Sequence, residues 1–208
     1  MKQLFIILIL FVTTPMVYAQ NKNQDDEIQT IFSKQKSNGG YGAFTMSYSQ
    51  IGGQNGMVTG GRGAFIFDHS FAIGLGGFGF VNNLDYNANE GLMEFSLAGG
   101  YGGLFFEPIV AGKSPVHVSF PILLGMGGVT AYKSYNWNWD SFDRHPNYGE
   151  DMFFVVEPAV DIEFNMTRFF RLAANVSYRF TSKLNLIATD EYALNGFNFG
   201  PTFKFGKF

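Results

Sequence analysis

A period of two constrains this chain more than any other feature. Over residues 152–164, Phe154, Val156, Val160, Ile162 and Phe164 share one parity, while Glu157, Ala159, Asp161 and Glu163 hold the other. Successive side chains of a strand point to opposite faces, so this run has one greasy side and one polar side. The next run repeats it, with Phe170, Leu172, Ala174, Val176, Tyr178 and Phe180 set against Arg171, Asn175, Ser177 and Arg179. Between them, Asn165-Met166-Thr167-Arg168 makes a short reversal. Similar runs occupy 41–50 (Phe44, Met46, Tyr48 against Thr45, Ser47, Ser49), 92–103 (Met93, Phe95, Leu97, Tyr101 against Glu94, Ser96, Gly100) and 116–129 (Val118, Phe120, Ile122, Leu124, Met126 against His117, Ser119, Gly125). Weaker ones occupy 57–67, 71–81 and 196–208, which makes eight, with no domain linker among them.

A soluble sandwich alternates too, but it turns its polar face to water and needs charge to clothe that surface. Only 15% of this chain is charged, against about 25% in soluble domains. The apolar faces run for about ten residues, the length a tilted strand needs to cross a bilayer. Read with the polar face inward, the pattern predicts an all-β fold: a closed antiparallel up-and-down transmembrane β-barrel of eight strands over residues 41–208. An even strand number puts both ends on one side, the periplasmic side in such barrels. The connections agree with that orientation. Those after even strands are short (68–70, 106–115 and 165–168). Those after odd strands are longer (132–151 and 182–195), with 82–91 intermediate and 52–56 an exception.

The first 19 residues have the three parts of a secretory signal: Lys2, an apolar run over 4–12, and Val17-Tyr18-Ala19 before Gln20. Cleavage is expected between Ala19 and Gln20. The apolar run is well short of the roughly 20 residues of a helical span. Residues 20–40 form a polar periplasmic segment in which Asp25, Asp26 and Glu27 precede Ile28, Ile31 and Phe32, either a turn or two of amphipathic helix or a flexible tail. A net charge of -3 offers no basic field for nucleic acid. The absence of cysteine excludes disulfides, thiolate metal sites and thiol nucleophiles. No cofactor or metal is implied.

On the inward faces as assigned, Glu94, Glu157, Asp161 and Glu163 oppose Arg62, Arg171, Arg179 and Lys204. An eight-stranded barrel is just wide enough for side chains to fill it, and buried charges need partners. The expectation is a lumen plugged by an ion-pair network, with a small pore as the alternative. Pairing across the 165–168 turn sets Arg171 beside Asp161 or Glu163. His117 and Ser119 share a strand face, the minimum for a base-activated nucleophile. A barrel enzyme acting on lipid is thus a further alternative, although the pair falls at the periplasmic end with no orienting carboxylate. Gly74-Leu75-Gly76-Gly77-Phe78-Gly79 fits G-x-G-x-x-G but opens no helix, so it is no nucleotide site. Over 132–151, Tyr135, Trp137, Trp139 and Asp140 lead a loop of aromatics, amides and acids. That composition suits a surface binding loop for sugars, or an aromatic girdle at head-group level. The sequons at Asn165 and Asn175 fall in a turn and a strand.

On its alternation, its aromatic content and its terminal Phe208, the chain resembles the small outer-membrane β-barrel proteins of Gram-negative bacteria, the eight-stranded type similar to the barrel of outer-membrane protein A. The resemblance covers the signal and everything from Gly39 to the end. It implies outer-membrane lipid as surroundings, the barrel assembly machinery as a partner during insertion, and a non-enzymatic structural or surface-binding (adhesive) role through external loops, with the ligand unknown. A secreted soluble β-sandwich that binds carbohydrate is the remaining alternative. One departure is visible. Phe199, Phe203 and Phe205 lie on the face opposite Phe208, so a bulge near Gly206 is expected to bring the terminal ring onto the apolar face.

Overall fold

The computed structural model describes residues 38–82, 95–133, 149–186 and 189–208. The signal with Ala19 and Gln20, the segment up to residue 37, Glu94, and the loop residues Tyr135, Trp137, Trp139 and Asp140 lie outside the described residues. Nine strands follow one another: β1 Asn38–Ile51, β2 Gln54–Phe67, β3 Phe71–Asn82, β4 Phe95–Val110, β5 Val116–Ser119, β6 Ile122–Lys133, β7 Glu150–Asn165, β8 Phe170–Thr181 and β9 Gly196–Lys207. Chain neighbours pair antiparallel except β5 and β6, which both lie between β4 and β7, and β1 pairs with β9 from Gly40↔Lys207 to Ser49↔Asn198, so the sheet closes on itself. Closure leaves no unpaired edge.

β5 and β6 form one stave, so the ring has eight. The stave is interrupted at Phe120 and Pro121, where Pro108 of β4 and Pro158 of β7 lie beside it. Three prolines at one level withhold three ladder donors. What remains is Phe120 N–H donating to the Pro108 carbonyl and Ala159 N–H donating to the Pro121 carbonyl. The register survives: Phe106 faces Ile122 and Ile109 faces Ser119, three steps along each strand. His117 and Leu123 therefore keep the same inward parity.

The outer wall is apolar. Phe65, Leu75, Leu104, Met126, Met152, Phe154, Val176, Phe197 and Phe199 all point out and are exposed. Such a continuous apolar surface far exceeds the patches a soluble monomer shows. The inner faces carry Thr45, Ser47, Ser49, Arg62, Asp161, Glu163, Asn175, Ser177, Arg179, Asn198, Thr202 and Lys204, all buried. The assigned parities hold for β1, β7, β8 and β9.

β4 departs from expectation. Leu97 and Tyr101, read as its outer face, point inward and are buried with Phe105, Glu107 and Ile109. The strand also runs on to Val110, so the connection read as 106–115 shrinks to 111–115. Pro108 suggested a turn, but it sits beside the interrupted stave, where proline is tolerated. The inward aromatics need space, and glycines supply it. A Cβ on Gly127 of β6 would lie 2.6 Å from Tyr101 Cβ and 2.7 Å from Phe153 Cζ.

The end at which β1 begins and β9 finishes has short turns at 68–70, 111–115 and 166–169. The opposite end has the two-residue hairpin Gly52-Gly53, with φ of 61° and 79°, the left-handed conformation such hairpins demand of both residues. The 182–195 connection, expected to be external, folds back across that mouth. Leu184, Leu186, Ala193 and Leu194 are buried with Ile51 and Leu97, and Gly52 N–H donates to the Ala193 carbonyl at 2.7 Å. β9 contains no bulge: its register to β1 is unbroken through Lys207. Phe208 keeps its inward parity, stacks on Tyr41 with ring centroids 5.9 Å apart, and lies 3.9 Å from the Arg171 guanidinium carbon. The terminal ring is thus a stopper on the lumen, because one-to-one pairing cannot turn it outward.

Candidate functional site

The densest chemistry lies inside the half of the barrel nearest the termini. In direct register, His117 of β5 faces Glu163 of β7, and Ser119 faces Asp161. Arg171 of β8 faces Lys204 of β9, two cations side by side. Like charges directly opposite repel, and the Glu163 carboxylate between them offsets this. It accepts from Lys204 Nζ at 2.6 Å and from Arg171 Nη1 at 3.4 Å.

Two ion pairs then cross the lumen. Lys204 on β9 reaches Glu107 on β4, Nζ to Oε1 at 2.5 Å, and Arg62 on β2 donates to Asp161 on β7. Each pair joins staves on opposite sides of an eight-membered ring, so together they brace it along two diameters. The carboxylates of Glu107, Asp161 and Glu163 present oxygens within 4.8 Å of one another. The centre of that group is taken by the Lys204 ammonium, which also lies 3.1 Å from Asp161 Oδ2. Tyr41 donates to Glu107, and Asn175 Nδ2 donates to Asp161 Oδ1. Three acids and three cations gather, all buried. Desolvating them costs several kcal/mol per ion, an expense that only multiple short contacts of this kind offset.

Of the eight charged residues expected in the lumen, the structure brings together Arg62, Asp161, Glu163, Arg171 and Lys204. Glu94 lies outside the described residues. Glu157 is inward but is held by neutral donors: Tyr101 at 2.6 Å, Ser177 at 2.5 Å and Asn198 at 2.9 Å. Arg179 is buried among aromatics, its guanidinium carbon 5.4 Å from the Phe80 ring centroid and 5.6 Å from that of Tyr101, with Nε donating to the Leu194 carbonyl at 2.7 Å. Among the described residues, three acids meet three cations, with Glu107 in a role that sequence reasoning missed. Its signal was a lone acid sharing parity with Leu97, Tyr101 and Phe105. Placing it in a turn hid it.

His117 and Ser119 belong to this network. Ser119 Oγ lies 2.6 Å from Oε1 of both Glu107 and Glu163, bridging them with its single hydrogen. His117 Nε2 lies 3.1 Å from Glu163 Oε2. The hydroxyl is thus bonded to carboxylates rather than to the imidazole, and both residues are buried, so the pair is not arranged as nucleophile and base. The G-x-G-x-x-G stretch lies wholly within β3. Above the ion network, a cavity lined by Arg62, Phe105, Glu157 and Asn198, among others, has room for about one water.

Arg171 is the most weakly anchored of the three cations. Arg171→Ala is expected to cost about 1–2 kcal/mol and to lower the temperature at which the folded band disappears in a heat-modifiability gel. An unchanged transition would show that the pair is idle.

No protein-family model matches the chain, and no curated protein does. Among solved structures, Neisserial surface protein A is similar over 84% of this chain and 100% of its own, at 12% identity and a TM-score of 0.54. The N-terminal β-barrel domain of Pseudomonas aeruginosa OprF covers 81% of this chain and 96% of its own, at 12% identity and a TM-score of 0.48. Ail, the attachment invasion locus protein of Yersinia pestis, covers 82% and 98%, at 16% identity and a TM-score of 0.41. The closed ring of eight staves and its match to the Neisserial barrel give this chain the fold of the small eight-stranded outer-membrane β-barrels.

Proposed function

We propose that this chain is a non-enzymatic integral protein of the outer membrane, exported by a leader cleaved after Ala19. Its lumen serves as an internal brace, and its external loops carry a structural or surface-binding (adhesive) role. The observation that carries this reading is the pairing of an apolar outer wall with a lumen crossed by two ion pairs and covered at both ends. A barrel filled in this way suits display rather than passage. The name of the structurally similar Neisserial protein, a surface protein, is in keeping with such a role. Outer-membrane lipid surrounds the wall, the barrel assembly machinery is the partner during insertion, and the loop with Tyr135, Trp137, Trp139 and Asp140 is the surface on which a ligand would be sought.

Fractionation of expressing cells should recover the protein in the outer membrane, with a band that shifts on heating. Recovery in the soluble periplasm would sink the proposal. Reconstituted into planar bilayers, the wild-type barrel should leave the baseline flat, and steady single-channel steps would instead favour the pore. Deleting residues 134–148 should abolish binding to host-cell or glycan surfaces while leaving the heat-modifiable band in place. Undiminished binding would remove the adhesive role from that loop.

A further inference from the structure

His117 lies between two charges. Glu163 meets it from β7 and Arg171 from β8, and these two are tied in turn to the rest of the buried cluster, Lys204 of β9, Asp161 of β7, Glu107 of β4, Tyr41 of β1 and Arg62 of β2. Its Nε2 is 3.1 Å from Glu163 Oε2 and 3.2 Å from Arg171 Nη1. One nitrogen cannot serve both as a donor to the carboxylate and as an acceptor from the guanidinium. A lone pair there takes the Arg171 hydrogen, and a hydrogen there goes to Glu163 and turns Arg171 away. Glu163 Oε2 is in addition shared, since Arg171 Nη1 reaches it at 3.4 Å. His117 and Arg171 therefore compete for one oxygen.

With the imidazole neutral, the three carboxylates and three cations balance. A proton taken up from solvent by His117 makes four cations against three acids in a buried cluster, and an uncompensated buried charge is strongly disfavoured. One cation must then move to water. Lys204 is held by contacts of 2.5, 2.6 and 3.1 Å, and Arg62 lies over the Phe105 ring while donating to Asp161. Arg171 meets the acids of the cluster at 3.4 Å to Glu163 alone, its remaining polar contacts are the neutral His117 ring at 3.2 Å and the Gly112 carbonyl at 3.4 Å, its Nε has no partner, and its side chain is the most exposed of the three at 6%. It is also the one under the terminal ring, stacked against Phe208.

We infer that His117 is an acid-operated latch on the end of the barrel at which β9 finishes. On protonation the imidazolium replaces Arg171 as the partner of Glu163, Arg171 swings out to solvent, and Phe208 loses the cation it stacks on and uncovers that end of the lumen. The charge balance closes, with one proton in and one guanidinium out. On return to neutral pH the imidazole loses its proton, Glu163 needs a cation again, and Arg171 reseats under Phe208.

The test uses the full barrel in detergent micelles or nanodiscs, with hydrogen exchange of residues 203–208 and 111–115 followed in acid, at about pH 5, and at about pH 7.5. Rates are corrected for intrinsic exchange. In the wild type, these segments should exchange roughly tenfold faster in acid while residues 153–156 and 178–181 stay protected. His117→Gln, which takes up no proton, should be equally protected at both pH values. Absence of acid acceleration in the wild type overturns the latch, and so does acceleration of the same size in His117→Gln. Where the variant does not fold, side-chain NMR of the wild type decides. The Arg171 guanidinium resonance must move with the same midpoint as the His117 ring, and an Arg171 signal indifferent to that titration overturns the proposal.

Discussion

Replacing Lys204 with methionine should destabilise the barrel by about 3–5 kcal/mol, the usual cost of removing one partner from a buried ionic cluster. The ammonium has contacts within 3.1 Å of all three carboxylates, and it joins β9 to both β4 and β7. Without it, Glu107, Asp161 and Glu163 stand against Arg62 and Arg171 alone, leaving one buried negative charge uncompensated. The loss is read from urea unfolding in lipid vesicles, or from a lower temperature for the folded-to-unfolded gel shift. Glu107→Gln placed in the same chain restores the balance of two against two and should recover more than half of the loss. That non-additivity is expected of residues in one network. If Lys204→Met leaves the transition where it was, the cross-lumen brace has no energetic weight.

Gly127→Val should cost about 3 kcal/mol or more, read as loss of the heat-modifiable band, because there is no room for overpacking to relax. An added Cβ would lie 2.4 Å from the Gly100 carbonyl oxygen, which belongs to the adjoining strand, and against both Tyr101 and Phe153. Tyr101 in turn donates to Glu157, so the damage would spread to the polar group beside it. The control is Gly77→Val on the outer wall of β3. A Cβ there meets nothing within 4 Å, and the change should fall within about 0.5 kcal/mol, as exposed substitutions usually do. Equal effects at the two positions would mean that the glycines serve the backbone alone and do not make room for inward aromatics.

Much of the fold was legible because a strand exposes its two faces independently. Where the outer face is Phe154, Val156, Val160, Ile162 and Phe164 and the inner face is Glu157, Asp161 and Glu163, no assignment other than this one fits a lipid-facing wall. The same reasoning failed on β4. There the inner face is Leu97, Tyr101, Phe105 and Ile109 with one acid among them, and the opposite parity holds Ala98, Gly100, Gly102, Leu104, Phe106 and Val110, so both sides looked apolar and hydropathy carried no direction. Parity alone also predicted the inward position of Phe208. The expectation of a bulge came from resemblance, and the unbroken register with β1 overrode it.

Sequence by itself determined the class of fold, the strand number around the ring and the orientation of the strands whose two faces differ, because these depend on local period and on the polarity of each face. It also pointed inward the charges of Arg62, Asp161, Glu163, Arg171, Arg179 and Lys204, while Glu107 escaped it and Glu94 lies outside the described residues. Only the tertiary structure decided which charges meet. Arg62 finds Asp161 and Lys204 finds Glu107 across the lumen, at separations of 99 and 97 residues, and neither pair follows from any strand's own pattern. Partners across a lumen are set by ring closure and by the register of every stave between them, a sum of eight pairings that fixes which levels face each other. The reason is geometric: alternation says which way a side chain points, and closure alone says what it points at.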